Sequence, residues 1–231
     1  IVLRKVIVSS SGSFGNSKTI IRDKLSWVLS AEAEAELFNF NKNEIFAAAC
    51  GSNHSLYKYA QFRAKFAKSK FIDHNSNNYK SSQQFSINRF LINIKKICPS
   101  VIYTVPNLLI VVCKLLEKNK TKTFLKVKLI FCGGESWIPE LDRLVKKKFP
   151  NAKIVEFYGS AELGFVGWGA PGKGFKLFPG VEAWCDKDSV IWVKSPYIAN
   201  ISSPATSGDT GWFDQSGLLH LCGRIDRNFK F

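Results

Sequence analysis

The stretch SVIYTVPNLLIVVCKLLEK, residues 100–118, joins a short β-branched run to a longer apolar run with helical character. Its first part, SVIYTV, has the composition of a β-strand. Pro106 follows, and we predict that a helix begins there, because the N–H that proline lacks would have no partner in the first helical turn. A strand followed at once by a helix is the repeating unit of α/β folds.

The same succession continues on both sides of this stretch. Before it, EIFAAAC is strand-like, while HSLYKYAQFRAKFAKS and FSINRFLINIKKI are helical. After it, KVKLIFC is a strand, Gly133-Gly134 a turn, Ser136 the predicted cap of the helix WIPELDRLVKKKF, and AKIVEFYG a further strand. This order predicts an α/β fold, a parallel βαβ sheet with right-handed crossovers and flanking helices. Ligands of such sheets bind beyond the carboxyl ends of the strands.

The start of the chain shows the same local signals. KVIVSS, residues 5–10, predicts a strand that runs into a Ser/Gly-rich loop. Residues 18–37 predict a helix, because Ile21, Leu25 and Val28 recur at helical spacing.

The chain changes character after about residue 168, where glycine and proline cluster in GWGAPGKGFKLFPG. Two later stretches, VEAWC-DKDS-VIWV and GWFDQSGLLHL, each predict an antiparallel hairpin. We therefore expect an α/β subdomain over residues 1–168 and a smaller antiparallel β portion over residues 169–231. DHNSNNYKSSQQ, residues 73–84, is a polar loop and the best candidate for a mobile segment.

The chain of 231 residues is basic, with 33 Lys and Arg against 18 Asp and Glu and a net charge of +15. Such a charge can serve nucleic acid or an anionic membrane. Here the lysines are spread through predicted helices, as in LVKKKF, and do not alternate with aromatic residues as in a base-stacking surface. A solvated lysine face is the better interpretation. The pattern argues against nucleic acid as a partner. The rival hypothesis of a nucleic-acid binder predicts a DNA affinity that falls steeply with salt.

Six cysteines lie at positions 50, 98, 113, 132, 185 and 222, without any Cys-x-x-Cys spacing. Most stand in apolar runs, where a thiol is usually a small core residue, and we expect a reduced, cytoplasmic protein. The longest apolar run, VIYTVPNLLIVVC, contains Pro106 and is too short to span a bilayer, so we expect no membrane span. The chain contains no Met, and we expect it to be a piece of a longer protein.

Two Gly-rich loops follow predicted strands. In SSSGSFGNSK, residues 9–18, small residues let backbone N–H groups converge on an anion, and Lys18 adds a positive charge. The loop lacks the Walker A pattern, and such a sequence is more often only a loop. CGGES, residues 132–136, reads structurally as a strand-to-helix turn with a cap. Functionally, its paired glycines would let a flat ligand lie against the backbone.

Two further loops carry aromatic and acidic residues. In EFYGSAELGFVG, residues 156–167, the strand gives way to a turn at Gly159. Tyr158 can offer a stacking surface there, and Glu162 can ligate a divalent cation such as Mg²⁺. In TSGDTGWFDQSGLLHLCGRIDR, residues 206–227, Asp209 lies between glycines in a predicted turn, as though placed to hold a vicinal diol, and Arg224 follows. Each feature alone also has a purely structural explanation.

Taken in order, these loops resemble the adenylate-forming superfamily of acyl-CoA synthetases, peptide-synthetase adenylation domains and luciferases. In that family a Ser/Thr/Gly-rich loop ending in Pro-Lys precedes a Gly-Gly-Glu turn. A Tyr-Gly-x-[Thr/Ser/Ala]-Glu motif, a Gly-Asp and a Gly-Arg-x-Asp follow. The corresponding residues here are 10–18, 133–135, 158–162, 208–209 and 223–226. The resemblance covers essentially the whole chain and implies part of the large N-terminal domain of that family.

The resemblance implies a function for each loop. Tyr158 would stack on adenine, Asp209 would accept both ribose hydroxyls, and His54 would line the carboxylate pocket. Lys18, His54 and Glu162 are the implied catalytic residues, and Glu162 is the implied Mg²⁺ ligand. The implied nucleotide-binding residues are Ser10, Ser11, Gly12, Ser13, Gly15, Lys18, Gly134, Glu135, Tyr158, Gly159, Ser160, Ala161, Asp209 and Arg224.

The implied reaction is that of an AMP-forming acid–thiol ligase. A carboxylic acid, expected to be a fatty or other organic acid, attacks the α-phosphorus of ATP to give an acyl-adenylate and pyrophosphate, and the thiol of coenzyme A then displaces AMP. ATP or AMP, Mg²⁺ and coenzyme A are the implied cofactors. Two alternatives stay open: an adenylation domain that loads a carrier protein, and a non-catalytic relative that binds nucleotide without turnover.

Several positions depart from the family pattern. Phe14 stands where a hydroxyl residue is usual, Ser17 replaces Pro, and Ala161 occupies a position often held by Thr, so weaker phosphate contacts are expected. Asp226 matches the family's hinge. The small C-terminal domain beyond it, and the part before the phosphate loop (residues 10–18), are expected to be missing. We therefore expect this chain by itself to bind ATP or AMP weakly and to adenylate poorly.

Overall fold

The computed structural model describes residues 5–9, 19–74, 86–199 and 203–225. The elements in chain order are β1 (Lys5–Ser9), β2 (Thr19–Asp23), α1 (Lys24–Phe38), β3 (Ile45–Ala49), α2 (Ser55–Phe66), β4 (Lys70–Ile72), α3 (Ile87–Ile97), β5 (Val101–Thr104), α4 (Pro106–Lys118), β6 (Leu129–Gly133), α5 (Glu140–Lys148), β7 (Lys153–Ser160), β8 (Gly164–Gly169), β9 (Lys176–Leu177), β10 (Glu182–Cys185), β11 (Ile191–Lys194), β12 (Asp209–Phe213) and β13 (Leu219–Arg224). The chain divides into two compact units, one of residues 38–155 and one of residues 1–37 and 156–231.

The unit of residues 38–155 is built on a parallel sheet. Strand β3 pairs with β4 on one side and β5 on the other, and β5 pairs with β6. Strand β7 starts beside β6, where the Lys153 N–H donates to the Lys128 carbonyl at 2.8 Å. Parallel neighbours cannot be joined by a tight turn, so each is reached through a crossover, and helices α2 to α5 lie between the successive strands.

Helices cover both faces of this sheet. Side chains alternate between the faces of a strand, so Ile102 and Ile130 share one face, where they join a buried cluster with residues of α3, α4 and α5. On the other face the Tyr103 ring stacks on Phe131 at 4.9 Å and meets Tyr59 of α2 at 6.1 Å. This arrangement confirms the predicted α/β class with flanking helices.

Proline stands at the start of two helices of this unit, α4 and α5. Pro106 is the first residue of α4, as predicted. The predicted cap at Ser136 is wrong, because α5 begins only at Glu140 with Pro139 as its N-cap. A residue before proline is pushed out of the α region, so Ile138 disfavours a helix that would start further upstream.

In the unit of residues 1–37 and 156–231, five pairs of strands within the described residues are antiparallel. They are β1 with β2, β7 with β8, β8 with β9, β10 with β11, and β12 with β13. The last two pairs are the hairpins predicted from the sequence. Each of these two hairpins is a two-stranded sheet of its own, as is the pair β1–β2.

The predicted helix over residues 18–37 is only partly correct. Ile21 lies in β2, which pairs with β1 in the register Ile7 to Ile21, and the helix begins at Lys24. The β-branched run Thr19, Ile20 and Ile21 suits a strand, and Asp23 starts the helix by accepting the Leu25 N–H at 2.9 Å.

The subdomain division expected at residue 168 stays a prediction, and the compact units have boundaries of their own. The structural boundaries lie between Leu37 and Phe38 and between Val155 and Glu156. The physical reason is the antiparallel partner of β7, because from Glu156 onward this strand pairs with β8. Of the polar loop predicted over residues 73–84, positions 75–84 lie outside the described residues.

Three of the six cysteines have the buried character expected of core thiols. None of the six, all of which lie in the described ranges, forms a disulfide, and Cys50, Cys113 and Cys132 are the buried ones. Burial raises the pKa of the Cys50 and Cys113 thiols to about 12. Within the described ranges, no helix is both long and apolar enough to cross a membrane.

Candidate functional site

Tyr158 lies near the end of β7, and its hydroxyl reaches the start of β12. The side chain is 5% exposed, and its ring packs at 6.0 Å from that of Phe175. The hydroxyl donates a hydrogen bond to Asp209 Oδ2 at 3.1 Å. The ring is therefore enclosed by the chain, and its stacking on adenine stays a prediction.

Asp209 is the centre of a group of polar contacts. Oδ2 also accepts from the Ser207 hydroxyl at 2.6 Å, and Oδ1 lies 3.5 Å from Arg224 Nε. Arg224 Nη2 donates to the Ser207 carbonyl at 2.7 Å, which closes a ring of contacts. We call Tyr158, Ser207, Asp209 and Arg224 the Asp209 cluster.

The backbone explains why the cluster forms. Asp209 and Arg224 are directly opposite each other in the β12–β13 register, so their side chains lie on neighbouring strands. Asp209 is the first residue of β12 and does not lie in the turn predicted from the sequence. The turn before it is formed at Gly208, whose φ of +78° is a conformation that favours glycine.

The electrostatics of the Asp209 cluster keep the Tyr158 hydroxyl protonated, so that it can donate a hydrogen bond. Burial, followed by the negative charge of Asp209, raises the pKa of the Tyr158 phenol well above its ordinary value. The phenol thus stays protonated at neutral pH and remains a donor to the carboxylate. A carboxylate offers about four acceptor positions, and the hydrogen bonds from Tyr158 and Ser207 use two, so Asp209 keeps acceptor capacity for a ligand hydroxyl.

Glu162 lies in a tight turn between β7 and β8, which we call the Glu162 turn (residues 161–163). The predicted turn at Gly159 is wrong, because β7 continues to Ser160 with a bulge between Tyr158 and Gly159. A Cβ on Gly159 would lie 2.2 Å from the Gly164 carbonyl oxygen, so this pairing requires glycine.

The main chain of the Glu162 turn is held at several points. The Ser160 hydroxyl accepts the Leu163 N–H at 3.0 Å, and the Glu162 carbonyl accepts the Ala199 N–H at 2.7 Å. The Ala161 carbonyl accepts from Arg22 Nη1. Glu162 itself is partly buried, and its carboxylate stands on a well-supported turn.

Three predicted site residues lie in the other unit, at the carboxyl ends of its parallel strands. His54 follows β3 and caps α2, where its Nδ1 accepts the Leu56 N–H at 3.2 Å. Burial lowers the pKa of His54, and the nearby Glu135 opposes this shift. A neutral ring that accepts at Nδ1 carries its proton on Nε2 and can donate from there.

Glu135 and Gly134 follow β6 directly. The Glu135 carboxylate accepts the Asn107 N–H at 3.0 Å, at the N-terminus of α4, and Gly134 has a φ of +82°. The structure thus groups His54, Gly134 and Glu135 in one unit, and Tyr158, Asp209 and Arg224 in the other.

The remaining predicted site residues fall into two classes. Gly159, Ser160 and Ala161 lie at the end of β7 and in the turn after it. Ser10, Ser11, Gly12, Ser13, Gly15, Lys18 and the hinge residue Asp226 lie outside the described residues, and so do Phe14 and Ser17.

Sequence reasoning missed two residues of this region. Ser207 stands two positions before Asp209, a spacing that already suggests a local side-chain contact. Arg22 is 1% exposed, and its only sequence signal is a charged residue in the apolar strand TIIRD. The partners of Arg22 could be found only from the fold.

The chain is similar in sequence to a known protein family and to acyl-CoA ligases of two bacteria. A protein-family model described as AMP-binding enzyme matches residues 78–185. Over 159 residues the chain is 30% identical to a Staphylococcus haemolyticus protein named provisionally as a long chain fatty acid-CoA ligase, and the match covers 68% of the chain and 31% of that relative. An uncharacterized acyl-CoA ligase of Bacillus subtilis is 28% identical over 149 residues, covering 54% of the chain and 30% of the relative. The matches thus span about a third of these relatives.

Solved structures share the fold at lower identity. O-succinylbenzoate coenzyme A synthetase from Bacillus subtilis, in complex with ATP and magnesium ion, matches with a TM-score of 0.77 and 18% identity, over 95% of this chain and 50% of that one. A long-chain-fatty-acid-CoA ligase from Archaeoglobus fulgidus matches with a TM-score of 0.76 and 17% identity, over 96% and 52%.

Proposed function

The chain belongs to the adenylate-forming (AMP-binding) superfamily, and from this premise we propose that it serves the ATP-dependent activation of a carboxylic acid. The acid's carboxylate attacks the α-phosphorus of ATP, the bond to the pyrophosphate oxygen breaks, and an acyl-adenylate forms. In the second half the sulfur of coenzyme A attacks the acyl carbon and AMP leaves. We propose a fatty or other organic acid as substrate and the cytoplasm as the location.

The observation that carries the proposal is the Asp209 cluster. A carboxylate with free acceptor capacity is suited to bind the two hydroxyls of a ribose. Its orientation is fixed by the Tyr158 and Ser207 hydroxyls, at 3.1 and 2.6 Å. Arg224 on the opposite strand balances the charge of this carboxylate, so the cluster can persist when solvent is excluded.

Mg²⁺ is the metal that this family implies, and Glu162 fits it. Among the described residues no group of three or more His, Cys, Asp or Glu side chains could form a complete protein cage. Mg²⁺ is commonly held by one or two carboxylates together with substrate phosphates, so one carboxylate on a supported turn is sufficient. When bound, the metal would neutralise charge on the phosphates of ATP. Glu162 would hold it.

The other predicted residues keep their proposed roles. Lys18 and residues 10–15 would neutralise the departing pyrophosphate, and Gly134 and Glu135 would flank the base. His54, as a neutral Nε2–H donor, would orient the acid's carboxylate. The chain's contribution to the reaction would then be positioning and charge stabilisation, without a covalent enzyme intermediate.

The test is isothermal titration calorimetry of AMP and of ATP with Mg²⁺. We expect Asp209→Asn to weaken AMP binding by about 10- to 100-fold, as for loss of one charge-assisted pair of hydrogen bonds. The matched control is Asp188→Asn, since Asp188 is an exposed aspartate of the β10–β11 hairpin in the same unit. Equal affinities for the wild type and Asp209→Asn, or no binding of AMP to the wild type, would contradict the proposed site.

Assays of the wild-type chain can distinguish two related functions from the proposed one. An adenylation domain would pass its acyl group to a phosphopantetheinyl carrier protein in preference to coenzyme A. A non-catalytic relative would bind AMP but show no pyrophosphate exchange. The second is favoured by Ala161, because a side chain without a hydroxyl stands between Ser160 and Glu162, where a donor to the α-phosphate would otherwise be available.

A further inference from the structure

Arg22 is a fully buried arginine outside the predicted motifs. It lies on β2, the strand that follows the phosphate loop in the sequence, and is 1% exposed. Its guanidinium donates from Nη1 to the Ala161 carbonyl and from Nη2 to the Tyr197 carbonyl. The same Nη2 lies 3.3 Å from the Ser26 hydroxyl of α1.

The two carbonyls that Arg22 binds belong to the residue before Glu162, which is proposed to hold Mg²⁺, and to a second segment that binds the Glu162 carbonyl. Ala161 directly precedes Glu162. Tyr197 is two residues before Ala199, whose N–H donates to the Glu162 carbonyl at 2.7 Å. One guanidinium therefore joins Ala161, at the start of the Glu162 turn, to residues 197–199, the segment that binds the Glu162 carbonyl. Arginine is suited to this because its planar fork presents several donors in fixed directions, which lysine does not.

Gly164 makes room for this arrangement. It has a φ of +75°, and a Cβ placed on it would lie 2.5 Å from the Tyr197 carbonyl oxygen and 3.0 Å from Arg22 Nη2. Any larger residue would push the guanidinium or the Tyr197 backbone away. The sequence thus provides both the arginine and the space that it occupies.

We propose that Arg22 is a positioning residue of the site, which ties the main chain before Glu162 to the segment that binds the Glu162 carbonyl, so that the carboxylate is held where it can receive Mg²⁺ bound to ATP. This inference rests on the proposed function. A buried charge is costly to keep in a fold, and an apolar residue of similar volume is often as stable or more stable at such a position. A function in orienting Glu162 gives the arginine a reason beyond packing.

The experiment compares Arg22→Ala and Arg22→Lys with the wild type by calorimetry. The ligands are ATP with Mg²⁺, and AMP with a chelator. We expect Arg22→Ala to lower the affinity for ATP with Mg²⁺ by about 10- to 100-fold, the range typical of residues that support a metal ligand. AMP without Mg²⁺ should change by less than about threefold, since it does not need Glu162. Arg22→Lys should lie between Arg22→Ala and the wild type.

A matched control separates positioning from stability. Arg63 is also 1% exposed, but it lies on α2 in the other unit, with its guanidinium over the Phe40 ring at 5.1 Å. Arg63→Lys should lower the melting temperature and leave the ratio of the two affinities unchanged. If it changes that ratio as much as Arg22→Lys does, a general loss of stability explains the result and the inference fails.

Amide hydrogen exchange provides a readout that needs no ligand, and it serves if Arg22→Ala does not fold. In Arg22→Lys we expect exchange of residues 156–167 to become faster by about tenfold or more, with α2 unchanged. Unchanged exchange there, with an unchanged affinity for ATP with Mg²⁺, overturns the role of Arg22. A wild-type chain that binds neither nucleotide overturns the proposed function, and the inference with it.

Discussion

The hydroxyl of Tyr158 offers the most direct test of the Asp209 cluster. Tyr158→Phe removes this one group and keeps the ring that packs against Phe175. The lost hydrogen bond is partly buried and its acceptor is a carboxylate, and hydrogen bonds to charged groups contribute about 1.5–3 kcal/mol. Since Asp209 Oδ2 keeps the Ser207 hydroxyl as a donor, it is not left unsatisfied. We therefore expect the free energy of unfolding to fall by about 1.5 kcal/mol, the lower end of this range.

Urea unfolding of a double-mutant cycle measures this coupling. With Tyr158→Phe, Asp209→Asn and the double variant, the coupling free energy between the two side chains should be about 1 kcal/mol. Because the hydroxyl orients the group proposed to bind ribose, the Kd for AMP should also rise, by about three- to tenfold.

The chain offers a matched control for this variant. The Tyr57 hydroxyl donates to Asp73 Oδ1 at 2.5 Å, in the unit of residues 38–155. Tyr57→Phe should cost a similar free energy of unfolding without changing the affinity for AMP. A coupling between Tyr158 and Asp209 below about 0.3 kcal/mol would refute the reasoning, as would an equal loss of AMP affinity in Tyr57→Phe.

Two further predictions concern the same unit. Gly164→Ala should lower the free energy of unfolding, measured with urea, by at least about 2 kcal/mol, because a φ of +75° is unfavourable for alanine and the new Cβ meets the Tyr197 carbonyl. The control is Gly172→Ala, which should lower it by about 1 kcal/mol, because Gly172 has a φ of +67° but a Cβ there would meet no atom within 4 Å. Equal costs for the two variants would show that the contact at Gly164 is unimportant. The hydrogen bond from His220 is the main cause that depresses the pKa of Asp214, so this carboxylate stabilises the fold above the pKa it has when unfolded, about 4, and that stability is lost as the pH falls further. In a plot of melting temperature against pH, Asp214→Asn should lose less stability than the wild type as the pH falls below about 4, and the two curves should be parallel above pH ~6. An equal loss in both proteins on the acid side would be evidence against this linkage.

Local signals predicted most of the elements correctly. The strand and helix in residues 100–118 are read from a β-branched run and a proline, both of which act on the backbone around them. The errors have physical causes that can be named. Residues 19–23 can continue a helical spacing or form a strand, and only their pairing with β1 decides this. The start of α5 depends on Pro139, whose effect on Ile138 outweighs the capping preference of Ser136.

The sequence by itself determined the order of the motifs, the α/β class and the superfamily, because residue type and periodicity along the chain carry that information. Only the tertiary structure decided which side chains meet. Tyr158 contacts Asp209 across 51 residues, and Arg22 contacts Ala161 and Tyr197 across 139 and 175 residues. Such contacts depend on strand pairing and on the register of distant segments, and no local preference of the residues involved encodes them.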